Sequence, residues 1–218
     1  KLDYDGTFVY QRSGQVDTLR ITHQVTARGE RERLVTLSGP AREIVRDELG
    51  TRCYLSDSNQ PSIVSDAEAG TRFPSLLPAR TRELAQHYRF QLGKTDRVAG
   101  HRTRIILIEP RDAFRYGYRL WADERTGLLL RASLLDESGR PMEEVMFTQV
   151  AIGGRLPDSA VRPGAPVPAS KTVVAGKTDA AGPAATVSDP PPGFALRSRH
   201  VRAQADGKPP MTQLVYSD

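Results

Sequence analysis

Apolar and polar positions alternate along the first two thirds of the chain in short runs punctuated by turn residues, the period-two signature of half-buried strands. After Gly6, Phe8 and Tyr10 fall on one face and Thr7, Val9 and Gln11 on the other. Ser13-Gly14 supplies turn chemistry, and Leu19, Ile21, His23 and Val25 then alternate with Arg20, Thr22 and Gln24, which predicts an antiparallel hairpin. Further strands are predicted at Leu34 to Leu37, Glu43 to Arg46, Arg52 to Leu55, Phe90 to Leu92, Arg102 to Glu109, Tyr116 to Trp121, Leu128 to Leu135 and Glu144 to Val150. The turns Gly39-Pro40, Asp123 to Gly127 and Asp136 to Gly139 are short enough to force antiparallel neighbours, so the segment reads as a long meander.

One segment breaks the rhythm. Between Ser75 and His87, Leu77 and Leu84, followed by Tyr88, fall at helical spacing, with Pro78 tolerable only in a first turn. A large antiparallel sheet with so few helices must curl to bury its face. The expected fold class is therefore α+β and mostly antiparallel β: a half-barrel sheet over residues 1–156, wrapped over few helices, with a concave apolar side.

Composition then shifts. Residues 157–193 hold eight Pro and eight Ala and almost no large apolar side chain. Residues 157–185 are read as a Pro/Ala-rich linker, in which Thr172-Val173-Val174 is expected to seed at most a short edge strand. Pro190 to Leu196 and Thr212 to Tyr216 read as the first strands of a small β-rich C-terminal domain, residues 186–218. So few residues cannot bury a core alone, and the polypeptide is expected to continue past Asp218. An N-terminal element is likewise expected before Lys1, where no signal peptide is visible.

Charge narrows the function classes. The net charge is +5, and of 31 basic residues only five are Lys. Arginine favours bidentate contact with carboxylate or phosphate. The arginines are scattered along strands, as in Arg102, Arg104, Arg115, Arg119 and Arg131, which reads as a solvated sheet face and not a nucleic-acid footprint. Anionic lipid headgroups or an acidic peptide remain as partners. No apolar stretch approaches the roughly 20 residues of a membrane helix. Cys53 stands alone and is read as a small buried hydrophobe.

Candidate chemistry is sparse. Asp3-Tyr4-Asp5-Gly6-Thr7 matches the D-x-D-G-T nucleophile loop of haloacid-dehalogenase phosphatases, in which the first Asp attacks phosphorus. That chemistry needs a buried strand delivering the loop and further acids completing a Mg²⁺ site, and the sequence offers neither. His23, His87, His101 and His200 have no partner at metal-ligand spacing. No cofactor fingerprint is present. Aromatic side chains at Phe8, Tyr10, Tyr116, Tyr118 and Trp121 are the candidate lining of a lipid or peptide cleft, with Tyr116, Tyr118 and Leu120 on one strand face and Trp121 on the other.

Five segments, Gly6 to Tyr10, Gly39 to Val45, Pro110 to Tyr118, Asp123 to Leu130 and Pro191 to Phe194, together resemble the MucB/RseB family of regulators of the envelope-stress sigma factor. The resemblance implies a non-enzymatic periplasmic protein. It implies a large half-barrel similar to the lipoprotein carrier LolA, followed by a smaller sheet domain. Such a protein binds the periplasmic segment of an anti-sigma factor (MucA or RseA), shields it from site-1 proteolysis, and is released by lipid signals such as lipopolysaccharide. The concave face would accept acyl chains, and a homo-oligomer is compatible with the resemblance. The alternatives are a periplasmic lipid or lipoprotein carrier and, more remotely, the phosphatase.

Overall fold

The computed structural model describes residues 2–48, 50–55, 62–64, 81–164, 187–202 and 211–217. The chain divides into two compact units, Lys1–Ala175 and Gly176–Asp218.

The first unit is built on strands β1 (Tyr4–Arg12), β2 (Gln15–Thr26), β3 (Gly29–Thr36), β4 (Arg42–Asp47), β5 (Gly50–Leu55) and β6 (Ser62–Val64). Helix α1 (Thr81–His87) leads into β7 (Tyr88–Val98), β8 (His101–Pro110), β9 (Gly117–Asp123), β10 (Leu129–Leu135) and β11 (Pro141–Ile152). Among the described residues all eleven strands join one antiparallel sheet, in the order β6-β5-β4-β3-β2-β1-β11-β10-β9-β8-β7. The predicted meander is present with one addition: β1 pairs with β11, Tyr4 opposite Ile152 and Phe8 opposite Phe147. The sheet therefore grows outward in two wings from a seam made by its first and last strands.

Elements differ from the sequence reading where tertiary pairing overrides local pattern. Strand β3 begins at Gly29, because the charged run Glu30 to Arg33 is paired with β2 on one side and in part with β4 on the other. Strand β7 extends to Val98 through a bulge between Leu92 and Thr95, and β9 starts at Gly117, leaving Tyr116 outside the sheet. The short β6 was not foreseen. Of the predicted helix, Thr81–His87 is seen, and residues 75–80 lie outside the described residues. Most of the expected linker, including Thr172 to Val174, lies outside them as well.

The sheet curls. His101 on β8 places Nε2 3.3 Å from the carbonyl of Val150 on β11, three strands away. Strands lie about 4.8 Å apart, so a flat sheet would separate them by roughly 14 Å, beyond the reach of an imidazole. Curling collects Tyr4, Phe8, Ile21, Val98, Ile105, Trp121, Leu130, Phe147 and Val150 into one core. A second core forms where Leu84 of α1 and Tyr88 meet Ile108, Leu120 and Ala132. Adjacent residues such as Leu120 and Trp121 point to opposite faces and fall in different cores, so β9 is buried on both sides.

The second unit shows an antiparallel pair, β12 (Ala195–Arg202) and β13 (Met211–Ser217). The Pro190 to Phe194 segment is a turn and not strand, closed by Phe194 N–H donating to Pro191 O at 3.0 Å.

Candidate functional site

Cross-strand register brings one set of side chains onto a single face of the large sheet. Tyr118 stands opposite Leu134, Leu134 opposite Glu143, Ala132 opposite Val145, and Val145 opposite Tyr10. The same face continues through Leu19 opposite Thr36 and Leu34 opposite Ile44. Two cavities lie along it. One of about 180 Å³ is lined by Tyr10, Tyr118, Ala132, Leu134 and Val145 together with Glu143 and Glu144. The other, of about 320 Å³, is lined by Tyr10, Leu19, Leu34 and Ile44 with Asp17 and Arg42 at its polar margin. The second reaches the lower end of small-ligand pockets. Tyr10 borders both, so the two form a groove across seven strands, apolar in its floor and polar at its rim.

Tyr10 is held in place by chemistry at its tip. Its hydroxyl donates to Glu143 Oε2 at 3.0 Å, and Glu143 also meets Arg12 Nε at 3.1 Å. Burial, together with that carboxylate, raises the phenol above its ordinary pKa, so it remains a neutral hydrogen-bond donor. At the other end Arg42 has no acidic partner among the described residues, unlike most arginines of the sheet. Beside it Cys53 is half-buried, and burial pushes its thiol up against the opposing pull of Arg42, which makes it a poor nucleophile.

The five aromatic candidates separate. Tyr10 and Tyr118 share the groove. Phe8 is buried beneath it, edge-on to Phe147 at 5.7 Å. Trp121 is buried on the other face of β9, with Arg131 stacked 4.2 Å over its ring and its indole N–H donating to Asp96 at 2.9 Å. Tyr116 is exposed in the loop before β9. Alternation within a strand could find Tyr118. Leu19, Leu34, Arg42 and Glu143 join it only through register between strands far apart in sequence.

The D-x-D-G-T segment serves the sheet. Asp3 accepts the backbone N–H of Val25 at 2.8 Å, and Asp5 accepts from Arg20 at 3.0 Å and from the Thr22 hydroxyl at 2.6 Å. A Cβ on Gly6 would lie 2.6 Å from Gln149 O and 2.8 Å from the Phe147 ring, so the glycine answers to packing. The segment lies in and beside an antiparallel strand paired on both sides, a setting unlike a phosphate-binding loop. Two of the histidines are similarly occupied. His23 stacks on Tyr4 at 4.8 Å with Nδ1 2.9 Å from Leu2 O, and His101 Nδ1 lies 3.5 Å from Asp123.

The Asp123 to Leu130 turn has a specific anchor. Asp123 is buried, which opposes its charge, but the Thr126 hydroxyl at 2.7 Å, the Thr126 N–H at 2.8 Å and the nearby His101 outweigh burial and hold its carboxyl below the usual range.

Known proteins resemble this chain in sequence and fold. The family model described as the MucB/RseB N-terminal domain matches residues 1–165. The sigma factor AlgU regulatory protein MucB of Pseudomonas aeruginosa is 34% identical over 223 residues, covering 99% of this chain and 66% of that protein. The sigma-E factor regulatory protein RseB of Haemophilus influenzae is 34% identical over 157 residues, 71% of this chain and 49% of that protein. This chain thus spans less than two thirds of either relative. The complex structure of Pseudomonas aeruginosa MucA/MucB is similar with a TM-score of 0.73 and 31% identity, over all of this chain and 71% of that one.

Proposed function

The chain belongs to the MucB/RseB family, and from that premise we propose that it is a periplasmic binding protein that senses envelope stress by holding an anti-sigma factor. In this reading it binds the MucA- or RseA-like periplasmic segment, keeps that segment from site-1 proteolysis, and lets go when a lipid signal such as lipopolysaccharide arrives. The observation that carries the reading is the likeness of the whole chain to a MucB crystallised with MucA, at a TM-score of 0.73. The groove bordered by Tyr10 and Tyr118 supports the lipid half of the proposal. Its apolar floor suits an acyl chain, and Arg42 at its margin is a cation available to a phosphate. Asp3 and Asp5, already engaged in strand-to-strand bonds, support binding over phosphoryl transfer.

The test is direct. Titrating the complete protein with the cognate anti-sigma periplasmic segment is expected to give a stable complex that resists the site-1 protease and is weakened by added lipopolysaccharide. Absence of a complex would refute the regulatory reading. Recovery of acyl chains with the purified protein, and capture of no anti-sigma segment, would favour a lipid or lipoprotein carrier instead.

A further inference from the structure

Strand β7 is the edge of the large sheet, and among the described residues nothing pairs with its outer side. From Arg89 to Arg97 every residue except Gly93 is exposed. An unpaired edge open on both faces along Arg89 to Arg97 is a template for another strand, and proteins usually blunt such edges. This one is only partly blunted. The bulge at Gly93 and Lys94 interrupts pairing with β8, and a Cβ on Gly93 would lie a tight 3.1 Å from the Ile105 side chain. It leaves Tyr88 to Leu92 as a regular stretch, Phe90 opposite Ile108 and Leu92 opposite Ile106. On that stretch Phe90 is 43% exposed and Leu92 78% exposed, although their register neighbours Ile108 and Ile106 belong to the α1 core or pack against it. The apolar surface thus runs off the sheet with two side chains still in water.

Charge identifies what would cover them. The outer strand carries Arg89, Lys94 and Arg97 against a single acid, Asp96. Asp96 is already bound to the Trp121 indole and the Arg97 backbone N–H, which lower its pKa. Among the described residues Arg89 has one loose acidic partner, Glu109 at 4.0 Å. A second copy of this chain adding β7 to β7 would bring basic residues against basic residues, which is unfavourable across a strand pair. An extended acidic segment with apolar residues at alternate positions meets both needs: its backbone completes the ladder, its apolar side covers Phe90 and Leu92, and its acids face Arg89.

We infer that β7, from Arg89 to Leu92, is a strand-addition site for an extended, acidic segment of a partner polypeptide. The inference rests on the regulatory reading above, in which that polypeptide is the anti-sigma periplasmic segment. The experiment uses the complete protein, that purified segment as probe, and backbone amide exchange with and without it. Expected are slowed exchange at residues 89–92 in the complex, and a loss of affinity of about tenfold or more in the Phe90→Asp, Leu92→Asp variant, whose side chains are exposed and whose fold is checked by an unchanged melting transition. The conservative Arg89→Lys variant is expected to bind nearly as the parent, and Arg89→Glu to bind more weakly. A complex that forms with parental affinity in the Asp variant and leaves residues 89–92 exchanging freely overturns the strand-addition site while the regulatory reading stands. Protection of β7 that depends only on the concentration of this protein shows pairing between copies and overturns it too. Failure of the parent to bind the segment overturns both.

Discussion

The two wings of the sheet are held by different physics. Strands β8, β9 and β10 bury side chains on both faces, with Ile105, Trp121 and Leu130 in one core and Ile108, Leu120 and Ala132 in the other. Strands β3, β4 and β5 bury little beyond Val45 and Thr51 and are laced by arginine–carboxylate pairs. Arg33 meets Glu43 at 2.6 Å, Arg46 meets Glu32 at 3.0 Å, Arg31 meets Glu48 at 2.8 Å, and Arg52 pairs with Asp47. Apolar burial supplies stability in proportion to area and offers no charge for salt to screen. Half-exposed ion pairs supply little energy each, yet a slip of one residue would part them and turn every side chain to the wrong face. One wing therefore anchors the fold. The other keeps its register while leaving Leu19, Leu34 and Ile44 accessible in the groove.

The contrast can be broken at its strongest point. Phe147 lies at the seam, almost wholly buried, packed on Phe8 and Tyr4. Phe147→Ala is expected to destabilise by about 3–5 kcal/mol in urea unfolding, through lost burial and the cavity left behind. Gly6→Ala forces a methyl against Gln149 O and that same ring, with an expected cost of about 2–3 kcal/mol. Asp123→Ala removes the acceptor of the part-buried N–H and hydroxyl of Thr126 and is expected to cost about 1–2 kcal/mol. The Asp123 carboxyl is lowered in the folded state, so its contribution is complete above the unfolded carboxyl pKa of about 4 and is lost as pH falls through the lower folded value. Parent and Asp123→Ala melting curves should accordingly converge on acidification below about pH 4. The smallest effect belongs to the other wing. Arg33→Ala is expected to cost about 1 kcal/mol or less and, in contrast to Phe147→Ala, to lose most of that difference in high salt. An equal salt response in both variants would erase the distinction between apolar burial and ion pairing.

Much of this was legible in the alternation of residues. Strand positions from Phe8 to Val150 and the hairpin turns at Asp123 and Asp136 follow from period-two patterning and turn chemistry. The charged start of β3 was not legible, because Glu30 to Arg33 become strand only with Arg46 and Glu48 across from them. Tyr116 read as part of a strand, yet the backbone turns until Gly117, where Asp112 accepts the Phe114 N–H at 3.0 Å and pairs with buried Arg115. The groove was half visible. Its aromatics could be named, but Glu143 and Arg42 could not be joined to Tyr10 by any spacing along the chain.

The order of residues by itself determined the local elements and their antiparallel sense, because side-chain alternation and short turns act over a few residues. It also carried the five segments on which the resemblance to the family rests. Only the tertiary structure decided that β1 closes on β11, that the sheet curls until His101 reaches Val150, and that Tyr10 and Tyr118 border one groove. Those are contacts between residues up to 148 positions apart, as in Tyr4 opposite Ile152, and their energy comes from burial and register that exist only once the sheet is assembled.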